Sequence, residues 1–350
     1  MTPRPTLAGV AARAGVSVST ASLVFSGAGP VSTATKQRVL TAAAELEYGG
    51  PDPTARSLRR GRSGVIALIT EDQLSDTFRD PMNLAFLDGV GEAFGDARVG
   101  LLVIPLAAEP GTDLSASPMD AAILLGCSMD LDASVETLRR RRIPIVAVEA
   151  AALDGVIVVD LDNREATRRG AEHLRDLGHR DVAVVTLALD GRREAGPLTP
   201  ERERAATGHT TRERLAGLHD VFPTATGMST SGSSLADGYT AGLALLGESD
   251  GARPTAIVAQ SDLLALGVLR AAEELGLEVP RDLSILGFDG ARLDGMAPHV
   301  ITTLVQPAVE KGTAAAAAVF AALAGDQPQP VLLRCELRVG TTTGPAPSRG

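Results

Sequence analysis

The side chains best placed to do chemistry in this chain are basic and lie near its start. Residues 1–62 hold eight basic residues (Arg4, Arg13, Lys36, Arg38, Arg56, Arg59, Arg60 and Arg62) against three acidic ones (Glu45, Glu47 and Asp52), a net of +5. The whole 350-residue chain carries −10, so the part after residue 62 carries −15. A basic head on an acidic body is the electrostatic footprint of a segment that holds a polyanion. Groups suited to metal or covalent chemistry are scattered. The five histidines (His173, His179, His209, His219 and His299) have no metal-ligand spacing and read as core or capping residues, so no metal or other cofactor is expected. Cys127 and Cys335 lie far apart in apolar or strand-like contexts, which suits small buried side chains rather than a disulfide framework. Nucleotide-binding glycine fingerprints and the G-x-S-x-G elbow are missing. No cleft acid–base pair or partnered nucleophile stands out, so the chain is read as a non-enzyme.

Three helices must position the basic head. Thr6 can accept from the N–H groups of a first turn, and Leu7, Val10, Ala11 and Ala14 recur at helical spacing. Gly15 falls where a left-handed cap is needed. Ser17 caps a second helix, about Val18 to Phe25, with Ala21, Val24 and Phe25 on its buried face and Val18, Ser19, Ser22 and Leu23 looking outward. Two short helices joined by a glycine-containing turn form the helix-turn-helix pattern. Ser32 caps a third helix, Thr33 to Leu46, with Val39, Leu40, Ala43 and Leu46 facing inward. Spacing alone fits a helical hairpin without a ligand equally well; the charge decides for a segment that binds a polyanion. After Tyr48, GGPDP is a turn-rich break. Thr54 to Arg59 has room for only about two turns, a length marginal alone in water, and its arginines repel one another without an anion. The expectation is a hinge that becomes helical on DNA, with Leu58 as an apolar wedge in a minor-groove step. A solvated basic linker is the alternative.

From Gly64 the pattern changes. VIALIT (65–70), VGLLVIPL (99–106), AAILLG (121–126), PIVAVE (144–149), VIVVDLD (156–162), VAVVTL (182–187), AIVAQ (256–260), SILGFD (284–289) and VLLRCELRVG (331–340) read as strands. Helices are expected at about 82–94, 135–143, 164–179, 210–222, 235–246, 263–275 and 310–324, and ERERAATGH (201–209) as a solvated loop. Alternating strands and helices imply parallel sheets covered on both faces, and about ten strands suit two doubly wound lobes better than one sheet. Ligands in such lobes sit outside the carboxyl ends of strands, here Thr70–Glu71, Leu125–Gly126, Glu149, Gln260–Asp262 and Phe288–Asp289. The N-terminus lacks an apolar signal core and no apolar run reaches membrane-spanning length, so a cytoplasmic protein is expected.

With these segments in view, the chain resembles the lactose-repressor (LacI/GalR) family of bacterial transcription regulators over nearly its full length. The resemblance is carried by TLAGVAARAGVSVSTAS, PVSTATKQRVLTAAAELEY, TARSLR, HLRDLGHRDVAVV, ERLAGL, TAIVAQSDLLALGVLRAAEELGLEVPRDLSILGFDG and ITTLVQP. It implies an all-α helix-turn-helix headpiece (1–48) and a hinge helix (49–62). It also implies a two-lobed α/β effector domain, like the periplasmic binding proteins, with doubly wound parallel sheets. One lobe would be formed by 63–160 with 291–325 and the other by 161–290 with 326–343. The implied function is a repressor whose affinity for double-stranded operator DNA is changed by a small-molecule effector, a sugar or related metabolite, in the cleft. A homodimer is implied, since the tail (344–350) lacks heptads for anything larger.

Val18, Ser19, Ser22 and Leu23 match positions that meet base edges. Leu23 stands where the family commonly has Arg, exchanging a bidentate guanine contact for apolar contact, for example with a thymine methyl. Ser26 replaces a frequent Asn, and the linker between Tyr48 and Arg56 is one residue longer than usual. Ser17, Thr20, Ser32, Thr35, Arg38 and Arg56 match phosphate-contacting positions, which place a protein without specifying sequence. Arg214, Ser261 and Asp289 match positions that hydrogen-bond a ligand's hydroxyls. Phe78, Phe86 and Phe288 are the aromatics expected near the cleft, with Phe288 in the effector set; so few aromatics weaken a sugar assignment. Asp262 reads as the cap of a helix starting at Leu263. The competing class is a solute-binding protein or sugar-processing enzyme with the same two-lobed body, against which the basic headpiece argues.

Overall fold

The computed structural model describes residues 5–27, 29–50, 61–71, 73–106, 114–126, 132–247, 253–293 and 299–348, with backbone alone at 76 and 132. The chain divides into two compact units, Met1–Gly64 and Val65–Gly350.

The first unit is built from α1 (Leu7–Ala14), α2 (Val18–Ser26) and α3 (Thr33–Glu45). Its helices start and stop where local chemistry dictates. Thr6, Ser17 and Ser32 accept from the backbone N–H of Gly9, Thr20 and Thr35, satisfying donors that a helix start leaves orphaned. Gly15 ends α1 at φ 64°, and its N–H turns back to Ala11 and Ala12. Val10, Ala11, Ala14, Ala21, Val39, Ala42 and Ala43 form the core, small enough to bring three short helices together. Val24, Phe25 and Leu46 lie half-buried at its edge, and Phe25 meets Tyr48 edge-on at 5.5 Å. Leu40 departs from expectation: it is 40 % exposed. Ala42 takes the inward position instead, because α3 presents Val39, Ala42 and Ala43 at three- and four-residue spacing to α1. The hinge expected over 49–62, and with it Leu58 and Arg56, falls largely on 51–60, outside the described residues.

The second unit contains two sheets. The first-lobe sheet runs β12 (Val331–Leu333), β5 (Ile157–Leu161), β4 (Ile145–Val148), β3 (Ala121–Leu125), β1 (Val65–Thr70), β2 (Gly100–Pro105), all parallel. The second-lobe sheet runs β13 (Glu336–Arg338), β11 (Thr302–Val305), β10 (Ser284–Asp289), β9 (Ala256–Ala259), β6 (Val182–Thr186), β8 (Thr226–Ser229), β7 (Gly196–Pro197), with its two edge strands antiparallel. The central strands are buried on both faces; Ile66, Leu68, Ile123 and Leu124 are fully enclosed, each contributing roughly 1.5–3 kcal/mol by burial.

The lobe boundaries expected from sequence need correction. Residues 302–305 belong to the second lobe, because β11 pairs with β10 from Leu286↔Thr302 to Asp289↔Val305. The run 331–340 is not one strand. Its first part joins β5 of the first sheet and its second part joins β11 of the other, so the chain crosses at Arg334–Cys335. The crossings therefore fall after β5, after β11 and after β12. The segment 201–209 is also not all loop. Thr199 caps α8 (Pro200–Ala205), with Pro200 at its first turn, and the longer helix α9 spans His209–His219.

Helices α5 (Pro81–Phe94) and α12 (Ala308–Ala324) pack face to face on the first lobe. Their approach is set by glycine: a Cβ on Gly312 would fall 2.0 Å from the Phe86 carbonyl oxygen, and one on Gly89 would fall 1.9 Å from that of Val309. Neither obstacle is a side chain that can swing aside. Gly312→Ala is expected to lower stability by about 2–3 kcal/mol through forced separation of the helices, seen as a lower urea midpoint. An unchanged midpoint would show that the helices can part freely.

Candidate functional site: a polar cleft and a helix-turn-helix face

The carboxyl ends of both sheets open onto one cavity of about 810 Å³, a size suited to a small-molecule ligand. Arg214 forms its floor. The side chain comes from α9 and is 3 % exposed. Its Nε donates to Asn163 Oδ1 at 2.8 Å, Nη1 to the Gln260 carbonyl at 2.5 Å, and Nη2 to Glu149 Oε2 at 3.4 Å. Nη1 also lies 3.8 Å from Asp289 Oδ1. The guanidinium stacks 3.5 Å above the Phe288 ring centroid, a desolvated cation on an aromatic face.

Glu149, just past β4, is the hub. It accepts from Lys311 of α12, from Arg214 and from the Thr210 hydroxyl. Burial alone would raise its pKa, but Lys311 and Arg214 outweigh burial and hold it at about 2. Lys311 also donates to Gln306 Oε1, and Gln306 Nε2 donates to Asp289 Oδ1 at 2.7 Å. One hydrogen-bonded chain thus runs from the first lobe (Lys311, Glu149) into the second (Arg214, Asp289). Asp289 behaves oppositely to Glu149. Burial pushes its pKa well above the carboxylate range, the nearby Asp262 and Asp80 push the same way, and Arg214 offsets only part. Both carboxyls sit on left-handed backbone, φ 53° at Glu149 and 122° at Asp289, conformations that cost non-glycine residues of order 1–3 kcal/mol and cluster at working sites. At the mouth, Arg193 reaches across to the Glu71 carbonyl at 3.4 Å.

The cavity brings together Arg214, Ser261 and Asp289 of the expected effector set. Ser261 does two tasks: its Oγ caps α11 (Asp262–Glu274) by accepting from Leu264 N–H, and it receives a hydrogen bond from Ser233 at 2.8 Å. The capping role expected of Asp262 is therefore held by Ser261. Asp262 instead accepts from the Thr303 hydroxyl at 2.6 Å and Ala291 N–H at 2.8 Å; burial lifts its pKa to about 7. Phe288 is not a cavity wall. It is 2 % exposed, because β10 turns Asp289 to the cleft and Phe288 to the core behind Arg214. Phe86 lines the cavity, while Phe78 does not. Sequence reasoning missed Lys311, Gln306, Thr210 and His209, and marked Glu149 only as a strand end. Lys311 had a legible signal: it is the sole lysine after Lys36 and interrupts an alanine-rich helix.

In the first unit, Val18 is 48 % and Leu23 37 % exposed. Ser19 is exposed beside them and Ser22 is half-buried. Large apolar side chains held out by a well-capped helix have no core to serve. Ser17 Oγ lies 2.8 Å from both Ser19 Oγ and Thr20 Oγ1, and Ser32 donates to Thr35 Oγ1 at 2.9 Å. These hydroxyl pairs mark the N-termini of α2 and α3, where backbone N–H groups favour an anion. Arg38 is exposed on α3. Among the described residues no single helix is long and apolar enough to cross a membrane.

A three-helix unit with an outward-facing second helix, followed by a two-lobed ligand-cleft unit, defines a class of ligand-responsive DNA-binding protein. Residues 6–50 match the model of bacterial regulatory proteins of the lacI family, and residues 171–343 match the periplasmic binding protein-like domain. An HTH-type transcriptional regulator of Mycolicibacterium smegmatis is 32% identical over 98% of this chain and 97% of its own length. The structure of the transcriptional regulator CelR–cellobiose complex is similar at TM-score 0.67 and 25% identity, covering 97% of this chain and 100% of that one. The lac repressor dimer bound to operator and an anti-inducer shares the fold at TM-score 0.76 and 24% identity, covering 97% and 99%. The chain belongs to the lacI family of bacterial regulatory proteins, and it is a DNA-binding transcription regulator.

Proposed function

We infer that the chain is an operator-binding repressor, working as a homodimer, whose DNA affinity is set by a hydroxyl-bearing small molecule in the cleft. The observation that carries the effector half is the Lys311–Glu149–Arg214–Asp289 chain, which links both lobes at the carboxyl ends of their sheets. A ligand that exchanges hydrogen bonds with those groups changes the relative free energy of lobe arrangements, and that difference is what shifts the equilibrium. Arg214, Ser261 and Asp289 are the proposed ligand contacts, with Phe288 supporting Arg214 from behind. The cellobiose held by a family structure supports a sugar-like effector for this cavity.

For DNA, Val18, Ser19, Ser22 and Leu23 are the proposed base readers. Ser17, Thr20, Ser32, Thr35 and Arg38 are the proposed phosphate contacts. Leu23 is the specificity-setting departure: its isobutyl group can meet a thymine methyl but offers guanine no donor. Selection of fragments from a random DNA pool by the full chain tests both claims. A palindromic motif is the expected result. Leu23→Ala is expected to relax preference at one half-site position by about 1–3 kcal/mol. A motif unchanged at every position would remove Leu23 from the base-reading set, and no enrichment would count against an operator-specific repressor.

A further inference from the structure

The inference here rests on the effector-cleft reading and concerns its regulation. The first crossing between lobes follows β5. Beside it, His209 Nε2 lies 3.0 Å from Asp160 Oδ2. Asp160 belongs to β5 of the first lobe; His209 is the first residue of α9, the second-lobe helix that carries Thr210 and Arg214 into the cavity. The two side chains are 17% and 22% exposed, so water screens the pair weakly. The Asp160 carboxylate is further fixed by accepting from Leu161 N–H at 2.8 Å through its other oxygen. Thr210, the next residue of α9, reaches Glu149 of the first lobe. The start of α9 is thereby tied to both β4 and β5.

We propose that His209 and Asp160 form a proton-operated latch at the pivot between the lobes. With His209 protonated, the ion pair holds α9, and the arginine it carries, against the first lobe. Without the proton the imidazole is neutral, only its hydrogen bond to the Asp160 carboxylate remains in place of the ion pair, and the lobe arrangement loosens. Among the described residues, the charged groups that act on His209 are Asp160 on β5, Glu213 one turn along α9 and Glu149 beyond β4, all carboxylates. The hydrogen bond to Asp160 and these charges raise the His209 pKa above its ordinary 6.5, against the lowering by burial. A raised pKa gives the sign: the latch is fully engaged below 6.5 and is lost as pH rises through the raised value.

The test needs no effector. Dyes are placed on E136C in the first lobe and R270C in the second, in the full-length chain carrying C127S. Cys335 is buried, with its thiol pushed up to about 12, and stays unlabelled. Single-molecule energy transfer is read from pH 5.5 to 8.5. The expected result is one narrow distance distribution at low pH, with the held population falling about fivefold or more relative to the loosened one as pH rises. H209Q should give the loosened distribution at every pH, and thermal unfolding checks that it folds; D160N carries the same comparison should H209Q not fold. A wild-type distribution independent of pH, or a folded variant that keeps the wild-type pH response, would overturn the latch. A chain that shows the pH response yet binds no effector would remove the cleft reading and leave the latch standing.

Discussion

Replacing Glu149 with Gln is expected to cost the second unit about 3–5 kcal/mol, the penalty for leaving buried charge without its counterion. The size follows from Glu149 serving two cations. Lys311 and Arg214 are 4% and 3% exposed, and neither can recover its hydration in place. Gln keeps an acceptor oxygen but not the charge. Arg214 would retain Asn163, the Gln260 carbonyl and the more distant Asp289, whereas among the described residues Lys311 would keep only neutral acceptors, Gln306 and the new amide oxygen. The cost should therefore fall mainly on Lys311. K311M together with E149Q removes a matched pair, so the double variant should recover part of the loss, a coupling that a double-mutant cycle on urea unfolding measures. Acid adds a second signature. Glu149 has a depressed pKa, so its stabilisation is present above the ordinary 4.5 and is lost only as pH falls toward about 2. Wild type should lose stability over that window, and E149Q should lack that component. A loss below about 1 kcal/mol in E149Q would mean the ion pairs are solvated, as surface pairs are.

How much of this was legible in the sequence depends on how far apart the determining residues lie. Thr6, Gly15, Ser17 and Ser32 announce their helix ends because a cap acts within four residues. The doubly wound character of the body was legible for the same reason, since each strand is an apolar run and each helix its own periodic stretch. Lobe membership was not. Whether residues 302–305 pair with β10 or return to the first sheet is decided by long-range register, and 331–340 reads as one strand although its halves end in different sheets. The site followed the same division. Arg214 and Asp289 could be marked by their place in a pattern, but the partner that makes buried Arg214 tolerable, Glu149, comes from 65 residues away. Lys311 and Glu149 are 162 residues apart. Phe288 failed for a local reason that could have been seen: neighbours on a strand face opposite ways, so Phe288 and Asp289 could not both line one cleft.

Asp289→Ala is expected to leave operator binding intact and to abolish the effector response. Asp289 stands at the end of β10, where its carboxyl can meet a ligand and Gln306 together. Burial raises its pKa and so favours the protonated form, in which a carboxyl offers a hydroxyl both a donor and an acceptor. Hydrogen bonds of this kind are worth about 1.5–3 kcal/mol when one partner is charged and nearer 1 when neutral. Loss of two of them, with Gln306 left underused, would weaken effector binding by about 10²-fold. Stability should change little, because a desolvated carboxyl on strained backbone is itself costly, and Ala removes the carboxyl though not the strain. Asp289→Asn separates the roles: it preserves shape and both hydrogen-bonding functions but not the proton equilibrium, so it should retain a measurable response that no longer varies as Asp289 titrates. The readout is release of a selected operator fragment by whichever compound in a sugar panel releases the wild type. A D289A chain that releases DNA at the wild-type concentration would place the ligand elsewhere in the cavity, nearer Ser261 and Ser233 than the end of β10.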